Sequence, residues 1–109
     1  IKDQNLFIKK IPIKIITLDD FIEKNKIDII DILKIDTEGY EFNVLKGLKK
    51  NYNKIKIIYF EHHYDDMIEK NYKFSDINKI LDDYGFIKKH KSKMFFRKSF
   101  EYIYENKFI

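Results

Sequence analysis

The chain has 109 residues, enough for one small domain or part of one, and roughly two-thirds of its unfolded surface can be buried on folding. Hydrophobic residues make up 44% of it and aromatic residues 17%, which excludes an intrinsically disordered segment. No apolar run approaches the roughly 20 residues of a membrane-spanning helix, and we find no signal-peptide pattern. The chain has no cysteine, which excludes disulfides and thiolate metal sites and suits a reducing compartment, so we expect a cytoplasmic protein.

The net charge of +4 comes almost entirely from lysine, and lysine alternates with aspartate and glutamate along most of the chain. Such alternation is typical of a solvated surface and not of a stripe that binds nucleic acid. The one basic cluster comprises Lys88, Lys89, His90, Lys91, Lys93, Arg97 and Lys98. Few aromatic residues lie within it. We therefore expect neither nucleic acid nor a membrane as a partner, and a basic RNA-associated protein is the minor alternative.

The first third of the chain predicts a strand, a short helix and a second strand. Pro12–Leu18 is β-branched and alternating, a strand pattern in which proline suits the first position. Asp19–Ile22 then opens a short helix, since acidic residues are favourable at a helix N-terminus. Ile29–Ile35 is a nearly continuous apolar run, typical of a strand that is buried on both faces in a parallel sheet.

The remainder continues the alternation. A helix is predicted from Glu38 to Lys46, with Gly47 at its end, and a buried strand is predicted at Ile55–Phe60. A further helix has Ser75 as its N-cap and stops at Gly85. The C-terminal tail predicts two or three more strands. Strand–helix alternation of this kind predicts an α/β domain with a mostly parallel sheet.

Two carboxylates stand where such a sheet binds its ligands, beyond the carboxyl ends of the strands. Asp36 ends one predicted buried strand and Glu61 ends the next, and consecutive strands often lie side by side. The two side chains would then face each other across a short gap, where a carboxylate can act as a general base or bind a cation. The alternative is structural, with Asp36 or Thr37 capping a helix and Glu61 pairing with a lysine.

Lysine and histidine side chains accompany these carboxylates. Lys34 lies two residues before Asp36, so both point to one face of the strand, and Lys34 either reaches solvent or pairs with Asp36 or Glu61. The adjacent His62 and His63 point opposite ways on an extended segment, so they cannot easily share one ion, and we predict no metal site. One of them, which we take to be His62, is predicted to contact substrate as a base or hydrogen-bond partner.

Four segments resemble the FkbM-type methyltransferases in order and spacing: Thr17–Phe21, Leu33–Glu41, Val44–Gly47 and Tyr59–His62. The stretch from Leu33 to Gly47 is the most specific. Such enzymes depend on S-adenosylmethionine and mostly methylate hydroxyl oxygens of sugars, polyketides or other small metabolites. Their fold is a seven-stranded, doubly wound, Rossmann-like sheet whose last strand is antiparallel.

The resemblance implies that residues 1–109 form a single partial domain, the C-terminal half of that sheet. Ile29–Ile35 looks like the family's fourth strand and Ile55–Phe60 like its fifth. The glycine-rich turn that cradles the donor and the acid that holds its ribose have no counterpart in these residues. The three glycines, none of them in a GxG arrangement, are Gly39, Gly47 and Gly85. The donor-binding residues are therefore unknown, and we expect this stretch alone to be inactive.

The resemblance also implies roles at the acceptor side. Asp36 and Glu61 are the predicted catalytic residues, one of which removes the proton of the acceptor hydroxyl. Glu38, Lys34 and His62 are the predicted acceptor-binding residues. The implied partners are a small hydroxylated acceptor and either the missing N-terminal half or a complementary chain. The alternative function is a non-catalytic remnant, or a partner-binding α/β module.

Overall fold

The structure, a computed structural model, describes residues 10–65, 68–95 and 98–109. In chain order the elements are α1 (Leu18–Lys24), β1 (Ile30–Ile35), α2 (Glu41–Lys46), β2 (Ile55–His63), α3 (Phe74–Asp83), β3 (Phe86–Lys93) and β4 (Ser99–Asn106), with a short 3₁₀ turn at Tyr52–Lys54 before β2. In the described residues no helix is long and apolar enough to cross a membrane.

The four strands form one mixed sheet in the order β1-β2-β4-β3. β1 pairs with β2 in parallel, whereas β4 is antiparallel to both of its neighbours, β2 and β3. β1, β2 and β3 therefore run in one direction and β4 runs against them. The α/β class and the antiparallel last strand predicted from the sequence are confirmed. Within the described residues β1 and β3 are the edges of the sheet.

One face of this sheet holds the core. Along β2, Ile58 and Phe60 are buried, and each is flanked by less buried residues that point to the other side. All three helices contribute to the same apolar cluster, so they cover this face. Its main members are Ile22 of α1, Leu45 of α2, Ile77 and Leu81 of α3, and Ile58, Phe60, Tyr102 and Tyr104 of the sheet.

The opposite face is called the outer face below. Its residues, read from the strand register and the alternation of side chains, are Ile32 and Lys34 of β1, Ile57, Tyr59, Glu61 and His63 of β2, Ser99, Glu101, Ile103 and Glu105 of β4, and Ile87, His90 and Ser92 of β3. The face is apolar near the start of β1 and β2 and polar toward their carboxyl ends. Ile32 is 61% exposed, so β1 is not buried on both faces as the sequence predicted.

The predicted strand at Pro12–Leu18 is wrong. Residues 11–17 form no regular element, and Ile11, Ile13 and Ile15 are 77%, 79% and 81% exposed. The alternation is real, but in the described part of the chain no strand lies beside this segment to satisfy its backbone groups. The helix that follows is confirmed as α1, and the hydroxyl of Thr17 caps it by accepting from the amide of Asp20 at 3.1 Å.

The start of α3 differs in its cap. The N-cap is Lys73 and not Ser75, because the carboxylate of Asp76 accepts from the Lys73 amide at 2.8 Å. Gly85 ends the helix as predicted, with a φ of 91° that favours glycine. The tail after it forms two strands, β3 and β4. Phe96 and Arg97, which belong to predicted features of the tail, lie outside the described residues.

Five residues of the basic cluster, Lys88, Lys89, His90, Lys91 and Lys93, fall on β3, an edge strand of the described sheet. Lys88, Lys89, His90 and Lys91 are exposed there. The ammonium groups of Lys88 and Lys91 each lie 5.9 Å from the ring centre of Tyr102, a cation–π distance. Lysines on an edge strand hinder pairing with other chains. The structural role of this cluster is therefore to protect the β3 edge of the sheet from such pairing.

Candidate active site

The carboxyl ends of β1 and β2 meet at one edge of the sheet. The register pairs Ile35 with Phe60, so Asp36, the residue after β1, comes next to Glu61. β2 does not end at this point, as the sequence predicted, but continues to His63. The predicted side-by-side arrangement of these strands is confirmed. Asp36 is exposed and Glu61 is half-buried. Neither is paired with a lysine among the described residues.

The loop from β1 to α2 has an unusual backbone. Glu38 has a φ of 49° and Gly39 a φ of 109°, so two successive residues are left-handed. The loop after β2 packs closely against the loop after β1 at Gly39. A Cβ at this position would collide with the backbone carbonyl of Glu69. Residues with a left-handed backbone cannot belong to a right-handed helix. α2 therefore starts at Glu41 instead of the predicted Glu38.

Glu41 holds this loop in place. Its side chain is buried and accepts four hydrogen bonds: from the amide and hydroxyl of Thr37 at 3.0 and 2.9 Å, from the amide of Gly39 at 3.1 Å, and from the hydroxyl of Tyr72 at 2.6 Å. Burial alone would raise the pKa of this carboxyl. The hydrogen bonds from Tyr72, Thr37 and the backbone together lower it by more than burial raises it, so the net pKa lies below its ordinary value. The left-handed pair at 38 and 39 is thus fixed by a buried anion.

Polar side chains occupy the carboxyl end of the outer face. Tyr59 donates to Glu101 at 2.8 Å, and Nε2 of His63 lies 2.9 Å from a carboxylate oxygen of Glu61. The ammonium group of Lys34 lies 5.4 Å from the ring centre of Tyr59. The register puts Glu61 directly opposite Glu101. This region is therefore a compact set of acids with one tyrosine, one histidine and one lysine.

Charge is concentrated around the phenol of Tyr59. The hydrogen bond to Glu101 raises the pKa of Tyr59, and burial and the negative charges of Glu101, Glu61 and Asp36 raise it further. The influence of all three carboxylates at one phenol means that they converge on the same patch. Like charges placed opposite each other across a strand pair are unfavourable, so Glu61 and Glu101 need the partners that His63 and Tyr59 supply.

His62 lies on the other face of the sheet. It is 2% exposed, and its ring packs against Tyr64, Tyr72 and Phe74 at centroid distances of 4.6, 5.8 and 5.6 Å. Burial, with help from the positive charge of Lys70, lowers the pKa of His62 to about 4. The ring is therefore a neutral core group at physiological pH.

The structure brings together three of the five predicted site residues. Asp36, Glu61 and Lys34 belong to the polar end of the outer face, and Glu38 is exposed in the neighbouring loop. His62 does not join them, because alternation along β2 points it into the core. Three further residues belong to this region: Tyr59, His63 and Glu101. The same alternation places Tyr59 and His63 beside Glu61, but the contribution of β4 depends on topology.

Two concavities lie near this region. One of about 310 Å³ is lined by Gly39, Tyr40, Asn43, Glu69, Lys70 and Asn71, from the loops after β1 and β2 and the start of α2. Another, of about 350 Å³ and mostly apolar, is lined by Ile15, Ile16, Thr17, Leu18, Asp20, Tyr40, Asn43, Val44 and Gly47. Neither lining includes Asp36 or Glu61. Neither of these two concavities is therefore formed around the two carboxylates.

A metal ion requires grouped ligand side chains, and S-adenosylmethionine requires a glycine-rich turn. Among the described residues no three histidine or acidic side chains are grouped to hold a metal ion. A Cβ on Gly39, Gly47 or Gly85 would meet the chain itself: the backbone of Glu69, the carbonyl of Val44 and the ring of Phe108, respectively. The three glycines thus stand where the chain packs closely on itself, and none belongs to a glycine-rich turn of the kind that cradles the donor, so these residues alone do not fit the donor.

A family model described as the methyltransferase FkbM domain matches residues 4–88, more than three quarters of the chain. The match runs from the N-terminal segment through β1, α2, β2 and α3 to the start of β3. It therefore includes Asp36, Glu41 and Glu61, and it ends before β4. Searches of curated proteins and of solved structures found no match.

Proposed function

Because the chain belongs to the family of FkbM methyltransferases, we propose that it forms the acceptor side of an S-adenosylmethionine-dependent O-methyltransferase. The acceptor we propose is a hydroxyl group of a sugar or another small metabolite. The observation that carries this proposal is the position of Asp36 and Glu61 at the carboxyl ends of two adjacent parallel strands. Ligands of open α/β sheets bind at this end of the sheet.

Methyl transfer to a hydroxyl group requires two contributions from this chain. A hydroxyl group must lose its proton as it attacks a methyl group, and a carboxylate within hydrogen-bond reach can accept that proton. Asp36 and Glu61 are the candidates for this general base. The acceptor must also be held in line with the methyl group, because alignment provides much of the rate. Lys34 and Glu38, as exposed polar groups at the same edge, are proposed to bind the rest of the acceptor.

S-adenosylmethionine supplies the methyl group in this family, and the donor-binding residues must come from elsewhere. We propose a segment of the native polypeptide outside these residues or a complementary chain. The strand order, with an antiparallel strand between two parallel ones, supports the further proposal that the sheet is the C-terminal half of a doubly wound, Rossmann-like sheet. The cytoplasmic location stays a prediction from composition.

The test is transfer of a labelled methyl group to a panel of hydroxylated small molecules by the native polypeptide that carries these residues. Replacing the base by its amide, Glu61→Gln or Asp36→Asn, is expected to lower kcat by about 10²- to 10⁴-fold with little change in donor binding. The control Asp82→Asn changes an exposed acid of α3 and is expected to leave kcat unchanged. Full turnover in both active-site variants would refute the assignment of the base.

The exposed edge of β1 favours a second proposal, that this edge binds a partner. Apolar edge strands with unpaired backbone groups tend to pair with other chains, and Ile32 adds an exposed apolar side chain. We expect the 109-residue chain to self-associate in light-scattering measurements and Ile32→Lys to reduce this association. Ile87→Lys, on the lysine-rich β3 edge, is the control and should have little effect. A monodisperse wild-type monomer would contradict the proposal.

A further inference from the structure

The chemistry proposed above gives no role to the contact between His63 and Glu61. We infer that His63 is a positioning residue that fixes the Glu61 carboxylate toward the acceptor and so makes Glu61, and not Asp36, the general base. This inference rests on the proposed function. It concerns how one carboxylate is selected and oriented among several that lie close together.

The geometry of the pair is specific. The two residues are separated by one position on β2, so they share the outer face, and Nε2 of His63 lies 2.9 Å from Oε1 of Glu61. A carboxylate can only accept, so Nε2 carries the hydrogen. The side chain of His63 is 4% exposed, whereas that of Glu61 is 29% exposed. The buried imidazole therefore holds one oxygen of a carboxylate that still reaches the surface.

The surrounding charges distinguish Glu61 from the other acids. Glu101 is directly opposite and is occupied by the hydroxyl of Tyr59 at 2.8 Å. Asp36 is exposed, and no described residue orients its side chain. Among the described residues, nothing bonds Oε2 of Glu61. Of the two candidate bases, Asp36 and Glu61, only Glu61 is thus oriented by a described hydrogen-bond partner, and its second oxygen stays open to a ligand.

The surroundings of the second ring nitrogen of His63, Nδ1, also support the positioning role. In the neutral imidazole with its hydrogen on Nε2, Nδ1 is an acceptor, and among the described residues this buried atom has no hydrogen-bond partner. The buried hydroxyl of Ser99, the register partner of His63 on β4, also lacks one in the described part of the chain. Burying unsatisfied polar atoms is unfavourable, and an apolar side chain would pack here without that penalty. The feature that an apolar residue could not reproduce is the hydrogen bond from Nε2 to Glu61.

The first test is spectroscopic and needs no turnover. Long-range ¹H–¹⁵N spectra of the chain at neutral pH report which ring nitrogen of each of the three histidines carries the hydrogen, and the exposed His90 is the internal reference. We expect the Nε2–H tautomer of His63 to exceed the other by about tenfold or more. Glu61→Ala should reduce this excess toward the ratio at His90, and Glu61→Gln, which retains an acceptor oxygen, should restore it. An Nδ1–H tautomer, or no response to Glu61→Ala in a folded variant, overturns the inference.

The second test separates the positioning role from the function itself. In the methyl-transfer assay His63→Phe is expected to lower kcat by about tenfold with the KM for donor and acceptor nearly unchanged, whereas His90→Phe changes neither. Active wild type with an equally active His63→Phe variant overturns the positioning role and leaves the proposed function standing. A wild type that transfers no methyl group to any acceptor refutes the proposed function, and the inference with it.

Discussion

Replacing Glu41 by alanine is expected to lower the free energy of unfolding by about 4 kcal/mol, because four donors, of which the Tyr72 hydroxyl is buried, would lose the acceptor they share. These donors are the amides of Thr37 and Gly39, the hydroxyl of Thr37 and the hydroxyl of Tyr72. Glu41→Gln retains one acceptor oxygen and is expected to lose less, about 2 kcal/mol. Small domains are stable by only about 5–15 kcal/mol, so the alanine variant should be close to unfolding. Urea denaturation of the chain measures both changes.

Glu38→Gln is the matched control for Glu41, since it alters an exposed glutamate in the same loop. A change within about 0.5 kcal/mol is expected there. The stabilisation from Glu41 also depends on acid in a defined way. Its folded-state pKa lies below the ordinary 4.5, so the contribution is present above about pH 4.5 and is lost as the pH falls through the folded-state pKa. A loss below about 1 kcal/mol in Glu41→Ala would show that the loop does not depend on this carboxylate.

Mild acid is expected to destabilise the fold through His62. In the unfolded chain this histidine takes up a proton near its ordinary pKa of 6.5, whereas in the core it stays neutral until about pH 4. The unfolded state therefore binds more protons between these values, and the free energy of unfolding falls by about 3 kcal/mol as the pH drops from 6.5 to 4. Above about pH 6.5 the effect is absent.

His62→Leu is expected to remove this part of the pH dependence, because leucine has a similar volume and no ionisable group. At neutral pH its stability should equal or exceed that of the wild type, since Nδ1 of His62 has no hydrogen-bond partner to lose among the residues that the structure describes. His90→Leu, on the exposed edge strand, is the control and should retain the wild-type slope. Urea unfolding at several values between about pH 7 and about pH 4.5 measures the slope. Equal slopes in the wild type and His62→Leu would refute the assignment to this ring.

The elements that the sequence predicted well are those with strong local signals. The apolar run that contains β1 and the run that begins β2 are unmistakable, and the adjacency of Asp36 and Glu61 followed from the rule that consecutive strands often neighbour each other. The segment at 12–18 has an equally good alternating pattern. It forms no strand because pairing depends on a neighbour, which local periodicity cannot supply.

The parts that the sequence did not predict depend on contacts far along the chain. The late start of α2 follows from the left-handed residues before it, which Glu41 holds with the help of Tyr72, 31 positions away. The choice between His62 and His63 depends on which face the helices cover. The approach of Glu101 to Tyr59 requires β4 to insert between β2 and β3, and no pattern within β4 specifies that place.

The insertion of β4 between β2 and β3 also governs the order of events during synthesis. β2 has its second neighbour, and β3 its only neighbour among the described strands, in residues 99–106. While a ribosome is still adding those residues, β1 and β2 can pair but the inner edge of β2 stays vacant. β3 and β4, close in sequence, can then form a hairpin and dock as one unit. A pause in translation before residue 99 would prolong the life of an incomplete sheet, the period in which a nascent chain most needs protection.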